Sequence, residues 1–263
     1  MHKVLEKLTS FGTSILISRP TNISSSVCLL KSHSYISYQD AIVVMDDLKG
    51  IVYQIKDDDK LFEDFKKEII SINPNNLSFK NFTKDNFTGF VWLLEHEQVF
   101  TIGSSGNPEI DLLNKKTKIP TIQTNRGGKI TYHGPGQAVV YFILDVKKLQ
   151  NKTIPDVKGY VRFLEQIVID TLKSIGIAGF RVDGKVGIWV NNDSKYEKIA
   201  AIGVRMSKGI ATHGFAINVN LDLNVFKSIV PCGISDFGVC SIESLGLQTT
   251  TEQIFDLILN SLS

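Results

Sequence analysis

The sequence predicts a single domain of the α/β or α+β class, and three observations lead there. Short apolar runs with β-branched or aromatic content, such as 90–94 and 138–144, are interspersed with segments whose apolar residues recur at helical spacing. The two kinds of segment mix without strict βαβ order, and no internal repeat is present. The chain has 263 residues, 43% hydrophobic and 21% charged, which is enough for one sizeable core and unlike a disordered composition.

The first 26 residues stand apart from the rest. They hold nine Ser or Thr, the basic Lys3, Lys7 and Arg19 and one acid, Glu6, with apolar Val4, Leu5, Leu8 and Phe11 at helix-like intervals. That composition predicts an organellar transit peptide over 1–26 and a mitochondrial location, with plastid or cytoplasm as alternatives. The folded domain is then expected over 27–263.

Within it, Tyr38, Ala41, Ile42, Met45 and Leu48 predict an amphipathic helix. The stretch 56–87 breaks pattern, with Asp57-Asp58-Asp59, several lysines and Asn73-Pro74-Asn75-Asn76. It reads as a surface insertion with a short charged helix over 61–72 in its middle. Buried strands are expected at 90–94 and 138–144. Beyond Pro155, the residues Val161, Leu164, Val168 and Leu172 mark a helix that Gly176 stops. Strand-like pieces follow at 186–190, 199–205 and 215–219, the last alternating Phe215, Ile217 and Val219. Thr250 and Gln253 fit a capping box for a final helix with Ile254, Leu257 and Ile258 inward.

Charge and cysteine content exclude several classes. The net charge is +2, all of it from the first 26 residues, so the body carries 26 basic and 26 acidic side chains and is formally neutral. A nucleic-acid binder needs a basic surplus to release counterions from phosphates, so no nucleic-acid partner is expected. The longest apolar run, 138–144, is far short of the roughly 18 residues that suggest a membrane span. Cys28, Cys232 and Cys240 make neither a disulfide framework nor a zinc-ligand spacing, so no metal site is expected.

Three segments carry the chemistry. The first runs from Arg126 to Gly136, where four glycines let the backbone approach a ligand and offer amides to carbonyl or phosphate oxygens. It is neither a Walker A loop nor a dinucleotide fingerprint, and two tight turns flanking a strand would also explain it. The second is Lys198-Ile199-Ala200-Ala201-Ile202-Gly203, followed by Thr212-His213-Gly214-Phe215-Ala216. A lysine opening an apolar strand is either a solvated strand end or a partly desolvated proton acceptor or electrostatic partner. The third is Ile229-Val230-Pro231-Cys232-Gly233-Ile234, where Pro and Gly predict a turn that presents the Cys232 thiol. A free thiol is only a few per cent thiolate at neutral pH, and a nearby cation raises that fraction. Cys28 and Cys240 read as inert core residues.

RGGKITYHGPGQ over 126–137, KIAAIGVRMSKGIATHGFAINVNLDL over 198–223 and FKSIVPCGI from Phe226 together resemble the lipoyl(octanoyl)transferase family, in the family's order. A weaker likeness extends from about Val27 to the C-terminus, through Leu94-Glu95-His96 and 99–103. The resemblance implies an acyltransferase with a mixed-sheet fold related to biotin and lipoate protein ligases. It implies Cys232 as acyl-thioester nucleophile and Lys198 as the lysine that activates it. Arg126-Gly127-Gly128-Lys129-Ile130-Thr131-Tyr132-His133, Ala201-Ile202-Gly203 and Gly214-Phe215-Ala216 match the family's substrate-binding segments. The implied donor is octanoyl-acyl carrier protein. The implied acceptors are lipoyl domains of 2-oxoacid dehydrogenase complexes and the glycine cleavage H protein, with no cofactor. His133 or His213 are candidate proton shuttles, and Lys129, Lys147, Lys148, Arg205 and Lys208 are candidates for a basic face toward acidic carriers.

Two departures from the family pattern, His96-Glu97-Gln98 and Tyr141-Phe142 where prolines are more usual, point to altered surface or partner contacts. The competing readings are an ATP-dependent lipoate–protein ligase, which would not need Cys232, and a catalytically dead adaptor that binds lipoyl domains.

Overall fold

A computed structural model describes residues 2–18, 26–72, 82–193, 195–229 and 238–262. In chain order the elements are α1 (His2–Ser10), β1 (Ser14–Ser18), β2 (Ser26–Ile36), α2 (Tyr38–Ile55), α3 (Asp59–Ile72), β3 (Phe87–His96), β4 (Val99–Ile102), α4 (Pro108–Asp111), β5 (Thr121–Gln123), β6 (Ile130–His133), β7 (Gln137–Asp145), α5 (Val146–Gln150), α6 (Val157–Ser174), β8 (Phe180–Val182), β9 (Lys185–Asn192), β10 (Lys195–Ser207), β11 (Ile210–Asn218), β12 (Gly238–Val239) and α7 (Thr251–Leu262). The main sheet has the order β1-β2-β3-β7-β11-β10-β9-β8, with β12 alongside β10, and a second sheet has the order β5-β4-β6. Both sheets are mixed: β2 and β3 pair in parallel, as do β4 and β5, while β3, β7, β11, β10 and β9 pair antiparallel in succession. Among the described residues no helix is long and apolar enough to cross a membrane.

The sheet divides the core in two, and β7 shows why its sequence is a continuous apolar run. Ala138, Val140, Phe142 and Leu144 face one cluster with Leu164 and Val168 of α6 and Ile254 and Ile258 of α7. Val139, Tyr141 and Ile143 face a second cluster with Val44, Met45 and Leu48 of α2. Successive strand residues point to opposite faces, so burial on both sides removes the polar half of the usual alternation. The alternation read at 215–219 has the same origin, since all of β11 is buried.

Several helix ends form as the sequence dictates. Ser37 caps α2 by accepting the Asp40 amide at 3.2 Å. At α7 the Thr250 hydroxyl accepts the Gln253 amide at 3.2 Å while the Gln253 carboxamide accepts the Thr250 amide at 3.0 Å, a reciprocal capping box.

The apolar spacing at the N-terminus forms the inward face of α1: Val4, Leu5 and Leu8 join the α2-side core, and β1 extends the sheet by pairing with β2. Among the described residues of 56–87, Phe62, Phe65, Ile69 and Phe82 are buried, and the three phenylalanine rings pack against Phe87 and Phe90. Asn73-Pro74-Asn75-Asn76 lies outside the described residues.

Candidate active site

The glycine-rich segment wraps β6 and is held from below by Arg126. This side chain is buried, and its guanidinium donates to the Thr101 carbonyl (2.6 Å) and hydroxyl (2.8 Å) and to the carbonyls of Gly127 (3.0 Å) and Lys129 (2.9 Å). Arg126 therefore staples the loop to β4 while also lining the cavity beside it. The loop amides are committed as well: Gly127 donates to the Val204 carbonyl and Gly136 to the Glu95 carboxylate, which also accepts from the Thr251 hydroxyl. On β6, Tyr132 turns into the small core under the second sheet, whereas Thr131 and His133 face a cavity. The turn–strand–turn reading of this segment and its cavity-lining role thus coexist.

A cavity lies between this loop and the α2 face of the main sheet. Its sheet wall is built from facing pairs on β10 and β11: Ala201 with Ala216, Ile202 with Phe215 and Gly203 with Gly214. The small pairs Ala201–Ala216 and Gly203–Gly214 leave the space open, whereas Ile202 and Phe215 pack toward the α6 side. Gly214 has a second role, because a Cβ there would run into the Val140 carbonyl oxygen and the Phe142 ring. Gly214→Ala is expected to force β11 off β7 and cost about 3 kcal/mol, measured by thermal unfolding. A variant as stable as wild type would show that this close approach is not needed.

The closed end is an aromatic cluster that sequence reasoning did not assemble. It joins Tyr38 from the start of α2, Tyr141 from β7, His213 from β11 and His133 from β6, with His96 behind them. His96 Nδ1 faces the Ile36 carbonyl at 2.9 Å and must donate, so Nε2 accepts from the Tyr141 hydroxyl at 2.6 Å. Burial holds the His96 imidazole neutral, its pKa pushed down to about 4. Burial also pushes the Tyr38 hydroxyl up to about 12. The Tyr141-Phe142 departure therefore falls in the interior and not on the surface, while Glu97 and Gln98 are exposed.

His133 is oriented by a relay of amides. Gln137 Nε2 donates to the Tyr132 carbonyl and to Asn218 Oδ1 (2.9 Å), and Asn218 Nδ2 donates to the Cys240 carbonyl (2.9 Å). Gln137 Oε1 is left to accept from His133 Nδ1 at 2.7 Å, so the lone pair of His133 sits on Nε2. Burial, with the neighbouring His96 and Arg126 charges, holds the His133 pKa well below the usual imidazole range. Burial likewise lowers His213 to about 3. Both rings are neutral near pH 7, which argues against either as a shuttle working through an imidazolium.

Lys198 stands at the other end. It is 6% exposed, its Nζ donates to the Val186 carbonyl at 3.1 Å and lies 4.7 Å from the centre of the Trp189 ring. It lines a small second cavity that shares Thr131 and Ala201 with the first. The solvated-strand-end reading of this lysine is thereby excluded. β10 carries β12 at this point, with Val239 opposite Lys198 and the Cys240 amide donating to the Lys198 carbonyl. Cys232 lies outside the described residues. Cys28 and Cys240 are free and buried, and burial pushes both thiols up, Cys240 to about 12, so neither is a thiolate.

The basic residues proposed for docking divide between two regions. Arg205 reaches the Asn125 carbonyl beside the glycine loop, near half-buried Lys129. Lys208 lies over the Tyr53 ring, and Lys148 donates to the Lys84 carbonyl, both away from the cavity.

Residues 76–263 match the family of the lipoyl protein ligase A/B catalytic domain. An octanoyltransferase of a Bradyrhizobium species is 47% identical over 170 residues, covering 62% of this chain and 68% of that protein. An octanoyltransferase of Novosphingobium aromaticivorans is 43% identical over 173 residues, covering 65% of this chain and 75% of that one. A bipartite lipoate protein ligase from Thermoplasma acidophilum has a similar fold, with a TM-score of 0.54 at 16% identity over 66% of this chain and 69% of its own. These octanoyltransferases are bacterial, which overturns the mitochondrial location expected from the N-terminal composition.

Proposed function

The chain belongs to the lipoyl protein ligase A/B catalytic domain family and is an octanoyltransferase of protein lipoylation, and we propose that it transfers the acyl group through a thioester on Cys232. In the first step the Cys232 sulfur attacks the carbonyl carbon of octanoyl-acyl carrier protein. The thiol proton passes to Lys198, and the carrier's thiol leaves with a proton. In the second step the amine of a lipoyl-domain lysine attacks the Cys232 thioester, an amide forms, and the cysteine thiol is regenerated. Splitting the transfer in this way lets two protein substrates use one cavity in turn, which is the origin of ping-pong kinetics.

The observation that carries this reading is the position of Lys198, a buried side chain beside an otherwise largely apolar slot whose walls hold two neutral histidines, and one that becomes a cation on taking the thiol proton. Such a group balances the charge that develops on sulfur and on the thioester oxygen, in surroundings where water does not compete. The slot itself suits an alkyl chain: Ile130 and Val139 line it together with Ala201, Gly203, Gly214 and Ala216 of β10 and β11. Lipoyl domains of 2-oxoacid dehydrogenase complexes and the glycine cleavage H protein are the proposed acceptors, and Lys129 and Arg205 the proposed docking cations nearest the mouth.

Intact mass after brief incubation with octanoyl-acyl carrier protein tests the covalent step. Wild type is expected to gain one octanoyl group that a lipoyl domain discharges, and Cys232→Ala to gain none. Turnover by Cys232→Ala at the wild-type rate would sink the thioester route.

A further inference from the structure

His213 is the most unusual residue in the cavity wall. It has a φ of 62°, a left-handed conformation that glycine and asparagine adopt far more readily than histidine. It is 3% exposed, and its Nδ1 has no hydrogen-bond partner among the described residues. Its Nε2 lies 3.3 Å from the Tyr38 hydroxyl, its ring packs edge-on to Tyr141, and its backbone amide points at the Met45 sulfur. A bulky ring is thus held in a conformation it does not favour, with half of its polar capacity unmet. Strain of this kind persists where the surroundings impose it and clusters at functional sites.

Its place in the register suggests the use. Going along β10 from Lys198, the cavity wall passes Ala201 and Gly203 and ends beside Val204, which faces His213. On β11 the same path runs from Asn218 through Ala216 and Gly214 to His213. From Ala201 to Val204 is three strand steps, about 10 Å at about 3.3 Å per residue. An extended eight-carbon acyl chain, built from C–C bonds of about 1.5 Å, is about 9 Å long.

We propose that His213, braced by Tyr38, is the end-stop that sets the acyl chain length at eight carbons. This rests on the reading that the slot holds the acyl chain with its thioester toward Lys198. A longer chain has to displace the Tyr38–His213 contact and drive methylenes against desolvated polar atoms, whereas a shorter one leaves the end of the slot empty. Both lower the rate, because a single methylene in a fitted pocket is worth about tenfold or more.

The test is kcat/KM for hexanoyl-, octanoyl-, decanoyl- and dodecanoyl-acyl carrier protein, for wild type and His213→Gly. Glycine accepts the backbone conformation and removes the ring, so the variant isolates the end-stop. The decanoyl-to-octanoyl ratio is expected to rise about tenfold or more, with the optimum moving to ten or twelve carbons. His213→Asn, also at ease in this conformation and smaller than histidine, should move the ratio in the same direction by less, and it serves should the glycine variant fail to fold. Tyr38→Phe keeps the bulk and should keep the peak at eight. A folded His213→Gly or His213→Asn that transfers octanoate with the wild-type length profile overturns the end-stop alone. Wild type that transfers no acyl chain overturns the reading beneath it as well.

Discussion

Lys198→Met should lower octanoyl transfer about a thousandfold while leaving the protein folded. General acid–base groups contribute about 10²–10⁴ to rate, and the lysine is the cationic side chain at the neck of the slot. Methionine keeps an unbranched apolar stem against Trp189, so packing changes little, and losing a buried charge does not in itself destabilise. The loss is expected in kcat, with KM for the carrier-borne substrate within a few-fold, because the interaction matters as charge develops and not on binding. Lys198→Arg is not expected to rescue, since a planar guanidinium needs more room than the ammonium and gives up a proton far less readily. Rates for Lys198→Met within about tenfold of wild type, measured by single-turnover acylation, would remove this residue from the chemistry.

The second large effect is acid lability. His96 and His213 are buried and neutral, with pKa values pushed down to about 4 and about 3, and His133 is held well below its ordinary value. In the unfolded chain the same imidazoles take up a proton near pH 6.5. Above that pH both states are neutral and these groups contribute no pH dependence. As pH falls below it the unfolded state binds more protons, and stability drops by about 1.4 kcal/mol per pH unit for each such histidine until its folded value is reached. By pH 4 the cluster should withdraw several kcal/mol, a large part of the roughly 5–15 kcal/mol that a domain possesses. Urea midpoints recorded between pH 7.5 and pH 4.5 should fall steeply below about pH 6.5. A flat profile would mean that the cluster is hydrated or opens locally without unfolding the domain.

The reach of the sequence can be judged from particular residues. The capping box at Thr250 and Gln253 was legible because both partners sit within one turn and their chemistry admits few alternatives. The helix at α2 and the strand at β7 were legible from periodicity and from run length. The N-terminal stripe of Val4, Leu5 and Leu8 was legible as a helix but not in its destination, since an amphipathic face looks alike whether it meets a membrane, a receptor or a core. Lys198 and the glycine loop came from motif likeness, and their geometry supports a site. Tyr38, His96, Tyr141 and His213 did not stand out together, because they lie on four separate elements and only the sheet order brings them together. The bonds of Arg126 were not legible for a related reason: a buried guanidinium spent on backbone carbonyls carries the same letter as one that binds a substrate.

The burial of β7 and β11 on both faces also bears on how the protein can diverge. Every residue of these strands is buried, so neither offers a position at which drift is cheap. Beside them in the same sheet, Ala201 to Gly203 of β10 are only half-buried while still forming part of the wall. Lineages of this enzyme can therefore vary the width of the slot most cheaply at β10, while changes at β7 and β11 are held back by the demands of folding.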